Sequence, residues 1–345
     1  MRVLFDVTHP AHVHLFRNVI DELQALGHDT VVTSREKDVT VDLLDHYRIQ
    51  HRVISAQSSG VPGTAAEWLR RSVRLLQIAR SVDPDVVVSR FNPASTAVAS
   101  ALGCPCLLFD DTEHKPAALR QITYPLSERV YTPTSFGLEL GANQVRYDGY
   151  HELAYLHPDR FEPDPTVLAD VGVDETDQLV VVRLVSWLAP HDVGQSGFDD
   201  VLDAVRTLED AGATVVITAE ADVPDRLERY RVPVAVHELH DLLYYADLFI
   251  GESGTMTIES ATLGTPAIFV SSIELGVIEE LHEAYGLVFR YRDGEKHRKG
   301  LEKAVEILSH GDERRWERRR ERLLEEKIDT TEFAVNEIRR YGHGQ

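Results

Sequence analysis

A chain of 345 residues, 43% hydrophobic and 27% charged, is long enough for two cores and has the make-up of an ordinary folded protein. Its 57 acidic residues outnumber 36 basic ones for a formal charge of −21, and lysine stands only at 37, 115, 296, 299, 303 and 327. Such a balance argues against nucleic acid as a main partner, because no face gathers the cations that phosphates need, and it fits a surface kept soluble in high salt.

Met1-Arg2-Val3-Leu4 opens directly into an apolar strand, Val3 to Val7, so no signal peptide is expected, and no apolar stretch approaches the ~20 residues of a membrane span. A cytoplasmic setting follows, with Cys104 and Cys106 as buried thiols. Helix His12 to Leu26 ends at Gly27, and strand Thr30 to Thr33 follows. A helix near Asp38 to Tyr47 leads to a short strand at Arg52 to Ile54. A Ser/Gly/Pro loop over 56–64 precedes a long helix, Ala65 to Ser81. Strand Val86 to Ser89, helix Ala94 to Leu102 and strand Cys106 to Phe109 continue an alternation that calls for a parallel sheet covered on both faces.

A linker is expected over 157–178, after which the pattern restarts. Strands are expected at Gln178 to Leu184, Thr214 to Thr218, Val234 to Val236, Leu248 to Ile250, Ala267 to Val270 and near Leu287 to Phe289. Helices are expected at Phe198 to Ala211, at Leu239 to Tyr245 and after Gly254, with charged helices from Lys296 onward. The fold class is therefore α/β, with two Rossmann-like doubly wound domains facing a cleft. Their spans are 1–160 and 161–330, and the tail 331–345 is expected to pack back on the first. Basic residues Arg314, Arg315, Arg318, Arg319 and Arg320 alternate with glutamates and read as a solvated helix face.

Residues 247–270 carry the most chemistry. An apolar strand runs into Gly251-Glu252-Ser253-Gly254-Thr255 and a helix ended by Gly264 and Pro266. The turn offers backbone N–H groups to a phosphate, and Glu259 falls near the same helix end, within reach of a sugar hydroxyl. The plainer alternative is an N-cap followed by a solvated glutamate. In the first half, His9, His12 and His14 follow the first strand, where a cleft histidine could take a proton from an acceptor hydroxyl, the alternative being ordinary capping or packing. His12 and His14 are favoured over His9, which precedes Pro10. No cysteine or carboxylate nearby completes a metal set, so no metal is expected. Asp110-Asp111-Thr112-Glu113-His114 follows the strand Cys106 to Phe109, making Asp111 and Glu113 candidates for a base or for orienting a sugar, the alternative being a solvated loop in a chain acidic throughout. Arg90 and Asn92 end the neighbouring strand, as substrate contacts or as helix-cap chemistry.

Two wound halves with Ser253-Gly254-Thr255, Glu259 and Gly264-Thr265-Pro266 in the second resemble the GT-B group of nucleotide-sugar enzymes. That group includes a lipid-linked N-acetylglucosaminyltransferase and the UDP-N-acetylglucosamine 2-epimerases. More closely, the chain resembles the family known as domain of unknown function 354. Three stretches carry this likeness: Asp6-Val7-Thr8-His9-Pro10-Ala11-His12-Val13-His14, Gly149-Tyr150-His151-Glu152-Leu153-Ala154-Tyr155-Leu156, and Val182-Arg183 through Trp187 to His191-Asp192.

The resemblance implies that Ser253, Gly254 and Thr255 seat a diphosphate, that Glu259 binds ribose hydroxyls, and that backbone around Val236, His237 and Glu238 meets the base. Arg183 would touch phosphate or pair with a carboxylate as a structural arginine. It also implies glycosyl transfer from a nucleotide-sugar, UDP-linked, to an acceptor hydroxyl, without a further cofactor. The alternatives are a sugar-nucleotide 2-epimerase and a silent binder. Epimerases of this type carry Gly-Asp-Thr after the fourth strand and His-Arg-Arg-Glu-Asn after the second domain's first. This chain has Ser89-Arg90-Phe91 and Arg183-Leu184-Val185 there. A lipid-linked acceptor would imply peripheral membrane association, although no basic amphipathic helix is read from the sequence.

Overall fold

The computed structural model describes residues 1–57, 61–174, 176–184, 201–219, 224–232, 234–311 and 313–342. Short apolar runs punctuated by Gly and Pro become strands buried on both faces, as a parallel sheet requires. Seven of them, β1 (Arg2–Val7), β2 (Asp29–Glu36), β3 (His51–Ala56), β4 (Val86–Ser89), β5 (Cys106–Phe109), β6 (Arg129–Pro133) and β7 (Gln144–Tyr147), form one sheet. Its order is β3-β2-β1-β4-β5-β6-β7, every neighbour parallel. Helices α1 (Pro10–Ala25), α2 (Thr40–His46), α3 (Val61–Val82), α4 (Pro93–Leu102), α5 (Ala117–Leu126) and α6 (Leu153–Leu156) belong with it. The loop expected over 56–64 is shorter than the sequence suggests, because α3 already begins at Val61. The sequence showed neither α5, β6 nor β7. Arg129-Val-Tyr-Thr-Pro and Gln144-Val-Arg-Tyr are short and mixed in polarity, lacking the continuous apolar run of β1 or β5.

The second sheet takes β8 (Gln178–Leu184), β9 (Ala213–Ala219), β10 (Leu248–Gly251), β11 (Ala267–Val270) and β12 (Val288–Tyr291) in the order β12-β11-β10-β8-β9, again all parallel. Helices α7 (Thr166–Asp170), α8 (Val201–Asp210), α9 (Leu239–Tyr245), α10 (Gly254–Leu263), α11 (Gly276–Glu280), α12 (Lys296–His310) and α13 (Glu313–Glu326) accompany it. Within the expected linker, α7 buries Val167 and Leu168. The strand expected at Val234 to Val236 does not form. What remains is an isolated parallel bridge from Ile217 to Arg231, then a 3₁₀ turn over Val236–Glu238. Pro233 has no N–H to give a ladder, which disfavours a strand there. On α13, Arg319 donates to the Gly286 carbonyl and Arg320 to that of Thr262 at 3.2 Å, so part of the run read as solvated anchors the helix. The helix expected at Phe198 to Ala211 is α8, and its residues 198–200 lie outside the described residues.

By internal contacts the chain divides into Met1–Arg160 with Lys327–Gln345, and Phe161–Glu326. The last helix, α14 (Thr330–Arg339), belongs to the first unit. Thr330 Oγ1 donates to the Tyr150 carbonyl at 2.6 Å, Thr331 Oγ1 to that of Ala154 at 2.7 Å, and the Tyr131 hydroxyl to Glu337 at 3.0 Å. Gly149 permits this approach, since a Cβ there would lie 3.0 Å from Thr330 Oγ1. Cys106 is buried and Cys104 partly so, both as free thiols. Burial raises the Cys104 pKa to about 11 and that of Cys106 further, so neither is a ready nucleophile. Among the described residues no helix is long and apolar enough to cross a membrane.

Candidate functional site

In open parallel sheets ligands bind beyond the carboxyl ends of the strands, where the strand order turns. In the second unit that point lies between β8 and β10. Gly251 ends β10 opposite Arg183 of β8, and a Cβ on Gly251 would lie 2.9 Å from both the Arg183 Cβ and its carbonyl oxygen. Ser253 then caps α10, its Oγ accepting the Met256 N–H at a long 3.4 Å. The N–H groups of Gly254 and Thr255, first in the helix, have no acceptor within it. Gly264 closes α10 in a left-handed conformation (φ 97°), and Thr265 Oγ1 donates to the Leu243 carbonyl.

Glu259 is not the solvated residue of the plainer reading. It is 4% exposed, and the buried His240 of α9 places Nε2 3.0 Å from its carboxylate. Nothing in the sequence points to His240's part, because the pairing depends on how α9 packs against α10. Alongside this junction, the carboxyl ends of β8 and β9 open a pocket of about 620 Å³ lined by Arg183, Thr218, Glu228, Arg231, Val236 and Leu239, among others. Among the described residues Thr218 Oγ1 is buried there without a hydrogen-bond partner. Val236, expected near a base, lines this pocket. His237 is half-exposed beside Glu238 at 3.8 Å. Trp187, His191 and Asp192 lie outside the described residues.

In the first unit the order turns between β1 and β4, and the chain itself fills that point. Asp6, wholly buried at the end of β1, accepts from Thr33 Oγ1 (2.7 Å), Arg71, Asn92 Nδ2 (2.8 Å) and Ser95 Oγ (2.7 Å). Asn92 also caps α4 through Oδ1, so its amide is engaged at both ends and the helix-cap alternative describes it.

Beyond β4, β5 and β7 lies a second polar cluster. Asp111 accepts from Arg90 and from Thr112 Oγ1 (2.8 Å), and His151 Nδ1 stands 2.9 Å from its other oxygen. Burial pushes the Asp111 pKa up, but Arg90 and then His151 outweigh it and hold the carboxyl well below its usual range. Among the described residues, His151 Nε2 and the Tyr147 hydroxyl are buried without hydrogen-bond partners. Burial, then Asp111 and Glu152, lifts the Tyr147 pKa well above that of a free phenol. Asp110 organises the turn, accepting from the Tyr124 hydroxyl and the N–H groups of Asp111 and Thr112. Glu113 accepts the Gly137 N–H at 3.1 Å. His151 and Glu152 stood in a quoted motif, yet only β6 and β7, unseen in the sequence, put them at this edge.

The three early histidines do not converge. His9 caps α1, its Nδ1 accepting the Ala11 N–H at 3.2 Å, and His12 Nδ1 receives the Thr8 N–H at 3.3 Å. His14 is buried against the rings of Tyr155 (5.2 Å) and Tyr47 (6.0 Å). Burial, then Lys37 and Arg90, lowers the His9 pKa to about 4; burial with Arg90 takes His12 well below 6.5. Both are neutral at pH 7 with Nδ1 accepting, which leaves the ring proton on Nε2. His12 is thereby disposed as a donor rather than as the base expected from the sequence. Among the described residues no group of three or more His, Cys, Asp or Glu is arranged to hold a metal ion.

Residues 1–314 match the family described as protein of unknown function DUF354. The chain belongs to the DUF354 family. An uncharacterized protein of Methanocaldococcus jannaschii is 24% identical to this DUF354 member over 283 residues, 77% of this chain and 80% of that one. Among solved structures, the UDP-GlcNAc 2-epimerase of M. jannaschii superposes with a TM-score of 0.70 at 16% identity, covering 99% of this chain and 100% of its own. The SsfS6 glycosyltransferase of Streptomyces sp. SF2575 does so at 0.62 and 14%, covering 98% and 99%. The DUF354 chain thus has the GT-B-like fold shared by nucleotide-sugar epimerases and glycosyltransferases.

Proposed function

We propose that this DUF354 protein transfers a sugar from a UDP-linked donor to an acceptor hydroxyl. The β10–α10 junction carries the reading. Helix N–H groups at Gly254 and Thr255 face a diphosphate, Glu259, fixed by His240, accepts from the ribose, and the pocket beside Arg183 and Val236 takes the base. Arg183 supplies a charge-assisted contact to phosphate, which stabilises the leaving nucleoside diphosphate as the glycosidic bond breaks.

In the first unit, His12 donates Nε2–H to substrate oxygen. Its role as acceptor base passes to His151, whose Nδ1 faces the ionised Asp111 and whose Nε2 has no partner among the described residues. Epimerisation at C2 is the second reading, supported by the likeness in fold to the UDP-GlcNAc 2-epimerase of M. jannaschii. Against it stands Arg90, a permanently charged group bound to Asp111 where such epimerases carry an aspartate.

Incubation with a panel of UDP-sugars should release UDP only when a hydroxyl acceptor is supplied. Epimerised sugar nucleotide in the absence of acceptor would establish the second reading instead, and binding without turnover would make the protein a silent binder.

A further inference from the structure

Helix α3 has an outward face that runs against the charge of the whole chain. Its inward side is buried through Glu67, Arg71, Leu75 and Ala79, with Glu67 paired to Arg35 at 2.6 Å and Arg71 bound to Asp6. Opposite them, at helical spacing, stand Leu69 and Val73, 70% and 48% exposed, with Trp68 at 38% on the flank. Arg70, Arg74 and Arg80 are exposed around these apolar side chains. Between Ala66 and Val82 the sole acid is Glu67, which turns inward, although acids outnumber bases 57 to 36 in the chain. None of the three arginines is in an ion pair among the described residues, although Arg74 also donates to the Ile54 carbonyl at 2.9 Å; Arg290, Arg292, Arg298 and Arg322 all meet carboxylates.

We propose that this face docks on an anionic lipid surface. Leu69, Val73 and the Trp68 ring enter the interfacial layer while the arginines meet headgroup phosphates, their stems lying along the apolar strip. Screening over ~10 Å at 0.1 M salt lets this patch act locally despite the charge of −21 on the whole molecule. A second copy fits less well, because it would bring the arginines of two helices together and add two strongly negative chains. The exposed Leu, Val and Trp also favour lipid over a nucleic acid.

Flotation of the full chain with phosphatidylcholine vesicles, with and without phosphatidylglycerol, tests this at about 0.1 M salt and at the highest salt the vesicles tolerate. The expected result is binding to the anionic vesicles alone. Partition should fall roughly fivefold for each arginine removed in the series Arg70→Gln, Arg74→Gln, Arg80→Gln. Leu69→Ser with Val73→Ser should abolish whatever binding survives high salt. Circular dichroism and UDP affinity, both expected at wild-type values, certify that the variants are folded and keep this test separate from that of the nucleotide site. Failure of the wild type to float, or variants that float as well as it does, would overturn the proposal. So would a dimer in light scattering that Leu69→Ser/Val73→Ser dissolves.

Discussion

Two sheets of like construction treat the place where their strand order turns in opposite ways. In the first, between β1 and β4, the acid Asp6 projects into the crevice and four donors from Thr33, Arg71, Asn92 and Ser95 close around it. In the second, between β8 and β10, the corresponding edge carries Gly251 against Arg183, then Ser253 and Gly254, with an open pocket alongside. A crevice filled by a satisfied carboxylate repels a phosphate and has no donors left for one. A crevice of glycine and serine at a helix start leaves its N–H groups available. Topology alone makes both turning points candidates, and side-chain chemistry leaves one.

The largest effect should come from breaking the filled crevice. Asp6→Ala strands Arg71, 4% exposed, as a buried charge without its acid, and should cost about 3–5 kcal/mol of unfolding free energy in urea denaturation. A loss under about 1 kcal/mol would mean that Ser55 and the Ser34 carbonyl, which Arg71 also reaches, suffice to hold it.

Next in size is a pH effect at the same edge. Folded His9 takes its proton only near pH 4, whereas the unfolded chain takes it near 6.5. Its contribution to stability is therefore full above 6.5, declines by up to about 3 kcal/mol as pH falls to 4, and is level below that. Denaturation of wild type and His9→Gln across this window checks it. If the two curves run parallel, His9 is not the group responsible.

Much of this contrast was legible in the sequence and part was not, for reasons that particular residues show. Strands β1, β4, β5, β10 and β11 are buried apolar runs ended by polar or small residues, and periodicity finds them. Gly251 through Thr255 and Glu259 announce a helix start with a carboxylate near it. The sequence does not say that Glu259 is buried and paired with His240, since those partners are 19 residues apart and meet only when α9 packs on α10. His12 and His14 looked alike on paper. Two residues of helix turn them by ~200°, one to the strand end and the other into a tyrosine pair. Asp6 read as one residue of the strand Val3 to Val7, because its donors come from β2, α3 and the start of α4, which no sequence spacing brings together.

The open crevice is tested by Glu259. Replacing it with Ala should weaken UDP binding by ~1.5–3 kcal/mol, the worth of a hydrogen bond to a charged group, as read by calorimetric titration. His240→Ala should reproduce part of the loss by freeing the carboxylate from its position. Wild-type affinity in a folded Glu259→Ala protein would remove the ribose contact from the reading, leaving the helix N-terminus as the remaining support.

The smallest effect separates capping from ligand binding at Ser253. A well-made serine cap is worth ~1 kcal/mol, but the Met256 N–H lies 3.4 Å away, at the weak end of such bonds. Ser253→Ala should therefore cost only about 0.5 kcal/mol of stability, at the bottom of the range for caps. If the hydroxyl turns instead to a phosphate oxygen, the same substitution should cost UDP about 1 kcal/mol or more of affinity, because a charged acceptor makes the stronger bond. A loss in stability with none in affinity would make Ser253 a cap and nothing else, and would put the whole burden of phosphate binding on the backbone of Gly254 and Thr255.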